Sequence, residues 1–529
     1  MSDLETELKL KLLVPECGQQ IAGTDILPGV DRVSAVQRDL LESQYYDTPS
    51  RRLQAARMAY RVRLEDGRWV ATVKAGGSSE GGLHQREEYS VVLVDQEPSV
   101  AVFFATAIGE RLHAVMGDEP LEAIFATRFT RYKRDLVVSD GSQIEFVVDL
   151  GEILAGGQKE MIAEVELELK KGSPSAVLTV GAELAKLFPV RVEPRSKYFR
   201  ALQLAGMADT AKEDSSTTPA YRFHGKEPAQ EELLRLLTAL LIEVMNAEEQ
   251  FSTYSEDPET LHQLRIALRR LRSALSFTKP LLAPEKYEQY QELLRQQGRE
   301  TGYLREIDVT AASWQEVLRR KSFSVSGRFW LDEVLADERQ AAWTKCSAAL
   351  DKGAATALYL ALWAWLAGEI ERLEQVNQQN DQPLQVFVQG RVRDWLENIL
   401  QMEKDLDFSD PDSLHALRIL GKKLRYMLEI FSDLLDRTSK LTERLKKLQD
   451  GLGSIRDIQL TAELFKQWLQ SRSSRALHRD AGLLMGWQAC ELQGRQAELW
   501  DDWQRFRKAA RKWLKRNSED RNHGTAHSG

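Results

Sequence analysis

Charged residues recur at alternate positions in four short stretches of the first 200 residues: Glu5, Glu7 and Lys9; Arg61 and Arg63; Arg86 and Glu88; Glu164, Glu166 and Glu168. Lys74 and the pair Glu145 and Asp149 continue the pattern. Residues two apart on a β-strand share a face, with Cα atoms about 6–7 Å apart, so each stretch aims neighbouring charges in one direction. One such face alone reads as the solvated side of a half-buried sheet. Four of them, built from full charges rather than serine and threonine, fit a sheet closed on itself with its polar face inward. Like charges confined together repel unless something bridges them. A divalent cation with a polyanion does so: carboxylates hold the cation, while arginine and lysine hold phosphoryl oxygens. An all-oxygen ligand set suits Mg²⁺ or Mn²⁺. For Glu145 and Asp149 an internal salt bridge is the competing role.

A second set of basic residues lies further on. Placed on a helix at ~100° per residue, His262, Arg265, Arg269 and Arg272 occupy an arc of roughly 80°, beside an apolar stripe of Leu264, Leu268, Leu271 and Leu275. The segment around Pro258–Arg265 recurs at Pro411–Arg418 with a constant offset of 153, so His415, Arg418, Lys422 and Arg425 repeat the arrangement. A merely solvated face mixes signs to gain i,i+4 pairs. Two purely basic stripes at equivalent points of a duplication instead predict a positive groove for a polyanion. No carboxylate or second histidine stands at metal-ligand spacing, so the two histidines are read as phosphate hydrogen-bonding groups. Lys508, Arg511, Lys512 and Lys515 form a further basic run near the C-terminus.

The elements that must carry these residues differ between the halves. Period-two alternation over Glu5–Leu12, Ala59–Leu64, Val70–Lys74 and Ala163–Leu169 predicts strands. Glu65-Asp66-Gly67-Arg68 reads as a hairpin turn, and residues 100–116 and 176–187 as helices. Residues 206–221 have linker composition; beyond them helical spacing runs to about Leu514, and Asn517–Gly529 have nothing to bury. The echo of Gly302–Ile307 at Gly453–Ile458, offset 151, extends the duplication into two helical units and predicts a pseudo-twofold bundle. The predicted fold is α+β: an eight-stranded antiparallel β tunnel over 1–204, a linker over 205–222, an all-α duplicated bundle over 223–515 and a disordered tail over 516–529.

With 529 residues, the chain is too long for one compact core. Its formal charge of −8 disfavours a nucleic-acid coat. Three dispersed cysteines exclude a disulfide scaffold and point to a reducing cytoplasm. The most apolar stretch, from Ala354 to Gly368, is shorter than the roughly 20 residues a spanning helix needs, so it reads as a buried helix and no membrane is expected.

Glu5-x-Glu7-x-Lys9 resembles the ExExK signature of the CYTH superfamily of triphosphate tunnel metalloenzymes. Tyr45-Tyr46-Asp47-Thr48-Pro49, Arg61-x-Arg63, Thr72-x-Lys74, the block Gly81–Glu88, Ala163–Glu166 and Ser196-Lys197-Tyr198 extend the resemblance over residues 1–204. The resemblance implies hydrolysis of inorganic triphosphate with Mg²⁺ or Mn²⁺. It implies Glu5, Glu7, Glu164 and Glu166 as metal ligands, with Glu168 ranked behind them. The phosphate ligands it implies are Lys9, Arg61, Arg63, Lys74, Arg86, Arg131 and Lys197. Arg131 is preferred to Arg128, which faces the other way in a regular strand. Lys9, Glu88 and Arg63 are the candidate catalytic residues; the general base stays open among Lys9, Glu88 and the carboxylate ligands. The two stripes, with Arg305-Glu306 and Arg456-Asp457, resemble the CHAD domain over residues 223–515. That likeness implies polyphosphate binding by His262, Arg265, Arg269, Arg272, His415, Arg418, Lys422 and Arg425. The alternatives are a triphosphatase or cyclase acting on thiamine triphosphate or ATP, and a non-catalytic polyphosphate-binding protein. No aromatic platform for a nucleobase stands out among the tunnel residues.

Overall fold

A computed structural model of the chain describes residues 3–25, 27–207, 222–320, 329–350, 353–375, 382–408, 410–472 and 474–524. The chain forms two compact units, residues 1–219 with 349–369, and residues 220–348 with 370–529. The linker expected at 205–222 lies, from 208 to 221, outside the described residues.

Among the described residues the first unit contains ten strands: β1 (Asp3–Leu12), β2 (Val30–Val33), β3 (Gln37–Asp47), β4 (Met58–Glu65), β5 (Arg68–Glu80), β6 (Leu83–Val92), β7 (Glu122–Val138), β8 (Gln143–Ala155), β9 (Gln158–Lys171) and β10 (Val190–Val192). Eight of them follow the order β1-β6-β5-β4-β3-β7-β8-β9, and pairing of β9 back onto β1 closes the ring. This is the antiparallel eight-stranded tunnel that the alternation predicts; β2 and β10 are short additions on β7 and β1. Asp66 and Gly67, at φ 47° and 74°, make the tight β4–β5 turn, where glycine takes the left-handed conformation at little cost.

Register then decides which side chains meet inside. Glu5 lies opposite Arg86, Glu7 opposite His84 and Glu168, Lys9 opposite Glu166, Lys74 opposite Glu88, and Arg131 opposite Asp149. Directly opposed residues project to the same face, so one parity along β1 and β9 points all of these inward. The other parity, with Leu8, Leu10, Val165 and Leu167, is buried outside the ring. Outside β4 and β5, Tyr60, Val62, Ala71 and Val73 pack with Phe103, Ile108, Leu112 and Met116. The helix expected over 100–116 is two shorter pieces, a 3₁₀ turn at Ala101–Phe103 and a helix at Gly109–Met116. Part of the lumen is apolar. Tyr45, Phe125, Phe129, Ile153, Ala155 and Ile162 form a cluster with Ala201 and Leu202 of the helix Lys197–Leu204. Gly151 leaves room there for Phe129, whose Cβ would stand 2.5 Å from a β-carbon at that position.

Arg134 shows the same barrel fixing a loop. Its guanidinium donates to the carbonyls of Ala22, Thr24 and Ser34 and pairs with Asp25 at 2.6 Å. Arg134→Ala is expected to destabilise the protein by about 2–4 kcal/mol, because several acceptors lose their donor together. Denaturant unfolding of the two proteins measures this directly.

Among the described residues the second unit is all-helical. The duplicated segments are the helices Pro258–Thr278 and Pro411–Ile430, each begun by an aspartate N-cap, Asp257 or Asp410, followed by proline. Each cap accepts from backbone N–H groups of the first turn, which fixes where the basic stripe starts. Thr310 and Thr461, separated by the repeat offset of 151, hydrogen-bond to each other at 3.3 Å in a fully buried position. Contact between equivalent residues marks the pseudo-twofold axis. The last helix, Arg475–Gly524, continues through residues expected to be a structureless tail; residues 525–529 lie outside the described residues. The apolar stretch at 354–368 lies on the helix Ala354–Gln375. Among the described residues no helix is long and apolar enough to cross a membrane.

Candidate functional site

The barrel interior holds a cavity of about 670 Å³ with charged residues on most of its wall. Its carboxylates come from β1, β8 and β9 (Glu5, Glu7, Glu145, Glu166, Glu168), from β6 (Glu88) and from the end of β4 (Glu65). Arg61 and Arg63 of β4 stand with Arg131 of β7, and each guanidinium repels the others.

Most of the ammonium groups are clamped between carboxylates. Lys9 Nζ lies 3.1 Å from Glu7 and 2.6 Å from Glu166, and Lys74 Nζ lies 2.9 Å from Glu5 and 2.7 Å from Glu88. Lys197 reaches into the barrel from its helix, 2.7 Å from Asp149 and 3.0 Å from Glu166, and pairs with Glu164 as well. Arg131 bridges Asp149 and Glu166 at 2.7 and 2.8 Å. Arg61 and Arg63 are held differently. Arg61 has carboxylates only at 3.9 Å. Arg63 donates to Ser43 Oγ at 2.8 Å and has one carboxylate, Glu65, at 3.3 Å. Burial, with repulsion from Arg61 and Arg131, pulls the Arg63 guanidinium down to about 10.

The acidic side is strained in the opposite sense. Burial, with Glu7 and Glu88 nearby and only Lys74 against them, pushes the Glu5 carboxyl up to about 7. Although burial works against it, Lys74 and Arg61 hold Glu88 at about 2. Burial and the Lys9 ammonium drive the His84 imidazole down to about 3, so it stands neutral beside Glu7.

The donor set suits a divalent cation. Every ligand candidate is a carboxylate oxygen, and Glu5 is a buried carboxyl short of positive charge. Oxygens of Asp149, Glu164 and Glu166 come within 4.8 Å of one another, ligand spacing for a single ion.

In the helical unit the two stripes converge. His262 lies under the field of Arg305, Arg269 and Lys422, and His415 under that of Arg456 and Arg418. Arg269 donates to Tyr426 OH at 3.3 Å, which ties one repeat to the other. The Nε atoms of Arg265, Arg418 and Arg425 are buried without a hydrogen-bond partner. Burial, then Arg418 and Arg269, pull Lys422 down to about 7. Asp457 is a carboxylate among these cations, flanked by Arg418, Lys422, Arg305 and Arg456.

A family model for the CYTH domain matches residues 3–201, and one for the CHAD domain matches residues 236–466. The chain is a CYTH domain followed by a CHAD domain. The chain is similar to an inorganic triphosphatase of Haemophilus influenzae, 35% identical over 173 residues. That match covers 32% of this chain and 46% of the relative, so the chain spans about half the length of the relative it matches. Among solved structures, the chain is similar to the CHAD domain of the plant Ricinus communis, at 25% identity and TM-score 0.45 over 55% of this chain and 94% of that one. It is also similar to a Hippeastrum protein described as an adenylyl cyclase candidate with dominant triphosphatase activity, at 20% identity and TM-score 0.29 over 39% of this chain and 97% of that one.

The CYTH tunnel brings together Glu5, Glu7, Lys9, Arg61, Arg63, Lys74, Arg86, Glu88, Arg131, Glu166 and Lys197 on one cavity wall. Glu168 lines the same cavity. Glu164 stands deeper, 1% exposed, and pairs with Lys197 and with Arg200 at 2.8 Å. Arg128 is on the outer surface, paired with Glu42 at 2.8 Å. Asp149 carries an ion pair, while Glu145 lines the cavity and pairs with Lys133 at 2.5 Å. In the CHAD domain the stripe splits. Arg265 turns to the carbonyl of Gly298 and Thr301 Oγ1, Arg272 lies by Gln291, and Arg425 pairs with Glu429. Sequence reasoning missed Ser43, Arg200 and the lumenal aromatics Tyr45 and Tyr198. Ser43 was findable, because it shares lumenal parity with Tyr45 of the Tyr-Tyr-Asp block.

Proposed function

We propose that the CYTH tunnel hydrolyses a triphosphate, inorganic triphosphate foremost, and that the CHAD domain binds polyphosphate. The observation that carries the first part is Arg63, a buried lumenal cation with incomplete neutralisation that stands beside Arg61 and a wall of carboxylates. A triphosphate lying along that pair supplies the missing negative charge. Arg61, Arg63, Arg86 and Arg131 bind and orient its oxygens, bidentate where the guanidinium planes allow. Mg²⁺ or Mn²⁺, held by Glu5, Glu7, Glu164 and Glu166, would supply neutralisation of phosphoryl charge and acidification of water. The terminal P–O bridge breaks as water adds to the γ-phosphorus, and diphosphate leaves carrying the bond's electrons. The arginines offset the charge that builds on the bridging oxygen.

Lys9 and Glu88 act in this reading through charge rather than as proton acceptors. Lys9 is kept protonated between two carboxylates, and a carboxyl held near 2 is a weak base. The deciding experiment measures phosphate release from tripolyphosphate by the full chain with and without Mg²⁺, beside ATP and thiamine triphosphate. Metal-dependent release from tripolyphosphate above the others supports the reading; no release from any of them leaves a binding protein. Tyr45 and Tyr198, with ring centroids 5.9 Å apart on the cavity wall, favour an organic triphosphate as the second reading. All three cysteines, Cys17, Cys346 and Cys490, are free thiols, which suits the cytoplasm as the proposed setting.

For the CHAD domain, the supporting feature is the suppression of the Lys422 charge by burial and by the neighbouring Arg418 and Arg269. A polyanion that neutralises the two arginines restores the ammonium form of Lys422, so binding takes up a proton. Affinity for polyphosphate is therefore expected to fall as pH rises above about 7, the value of the free lysine. Calorimetric titration at pH 8 in buffers of different ionisation enthalpy should show uptake approaching one proton, and Lys422→Arg should flatten the pH dependence. Competition between long polyphosphate and DNA tests the choice of polyanion.

A further inference from the structure

The helical unit holds a second basic feature apart from the stripes. Arg437, in the turn before the helix Ser439–Ser471, has φ 58°, the left-handed region that a β-carbon disfavours. Together with Lys440 it faces Lys512 and Arg516 of the last helix across a cavity of about 270 Å³, floored by Leu441 and Trp513. Trp513 Nε1 donates to the Asp436 carbonyl at 3.2 Å and pins the turn to that helix. Among the described residues none of the four cations has an ion pair, whereas Arg507 and Arg511 of the same helix both pair with Glu403. Asp436 is the one carboxylate on the wall, so the cavity carries a surplus of three positive charges.

We propose that this cavity binds a small phosphate anion, inorganic diphosphate or orthophosphate. Guanidinium and ammonium groups converging from two helices match a tetrahedral oxyanion with several acceptors. The volume is below the ~300 Å³ at which drug-sized pockets begin, too small for a nucleotide. The site differs from the polyphosphate groove in two ways. Lys440 and Asp457 lie 17 positions apart on one helix, about 25 Å along its axis. In the first repeat the offset of 153 places Pro284 and Tyr287 at the positions of Arg437 and Lys440, so the duplication does not supply a copy.

Titration of the full chain with diphosphate, orthophosphate and sulfate tests the site, comparing wild type with Arg437→Gly and with a Lys440→Gln, Arg516→Gln double variant. The expected result is loss of one diphosphate-binding event, or at least a tenfold weakening of it, in both variants. Glycine is at ease at φ 58°, so Arg437→Gly should lose the anion without lowering the melting temperature, a combination that misfolding cannot produce. Tripolyphosphate hydrolysis should be unchanged. Isotherms identical to wild type would overturn the proposal, as would an equal loss for sulfate. A loss confined to long polyphosphate would overturn it too, since the cavity would then serve a chain and not a small anion.

Discussion

Replacing Arg63 by alanine will lower kcat/KM for tripolyphosphate by ~10²–10³-fold, the usual cost of removing one preorganised positive group from a transition state. It will do so without a matching loss of stability. The guanidinium is 6% exposed and repelled by Arg61 and Arg131, which is why its pKa falls to about 10. A charge stabilised by the fold would move the other way. Removing it relieves that repulsion and opens the hydrogen bond to Ser43 and the pair with the half-exposed Glu65, whose carboxylate water can solvate. The informative comparison is Arg134→Ala in the same barrel: a large loss in denaturant unfolding with turnover per folded molecule retained. If Arg63→Ala unfolds at lower denaturant and keeps its kcat/KM, the arginine is part of the scaffold and the tunnel reading fails. Glu7→Gln gives a second check on the metal side. It should weaken Mn²⁺ binding, measured by spin resonance without substrate, as well as abolish metal-dependent phosphate release.

That contrast rests on what a strand makes legible. Period two assigns every second residue of Glu5–Lys9 and Glu164–Glu168 to one face, and closure of the sheet turns that face inward; both follow from local backbone geometry. The lumenal cluster could therefore be read from the chain. The neutralisation of Glu164 could not, because Lys197 and Arg200 come from a helix more than 30 residues further on and no strand parity fixes their direction. The same limit applies to the basic stripes. Helical phase put Arg265, Arg269 and Arg272 on one arc, yet long flexible side chains within that arc chose different partners, the Gly298 carbonyl, Tyr426 and Gln291. The arc of a helix is a property of its backbone. The destination of a guanidinium is a property of the neighbouring elements.

The boundary between the two halves is where sequence and structure part most widely, and it leads to the second large effect. A fragment of residues 1–207 is expected to be insoluble or molten, although it contains every strand of the tunnel. The helix Pro174–Leu187 buries eight of its fourteen residues, among them the runs 176–178 and 180–182. No single stripe of a helix includes three consecutive residues, so this helix must be covered on more than the barrel side. Residues 349–369, far along the sequence, belong to the same compact unit and supply the cover. A β-carbon at Gly181 would stand 3.3 Å from Leu360 Cδ1, and one at Gly353 would stand 3.0 Å from the carbonyls of Ala185 and Phe188. Leu360, Leu362 and Leu366 are each at most 1% exposed. At ~1.5–3 kcal/mol for a fully buried side chain of this size, Leu360 alone brings a sizeable part of the ~5–15 kcal/mol net stability of a whole domain. Appending residues 349–369 to the fragment through a flexible linker should restore a cooperative thermal transition and, with it, metal-dependent phosphate release. A fragment ending at residue 207 that unfolds cooperatively and turns over tripolyphosphate unaided would show that the tunnel half needs no such cover.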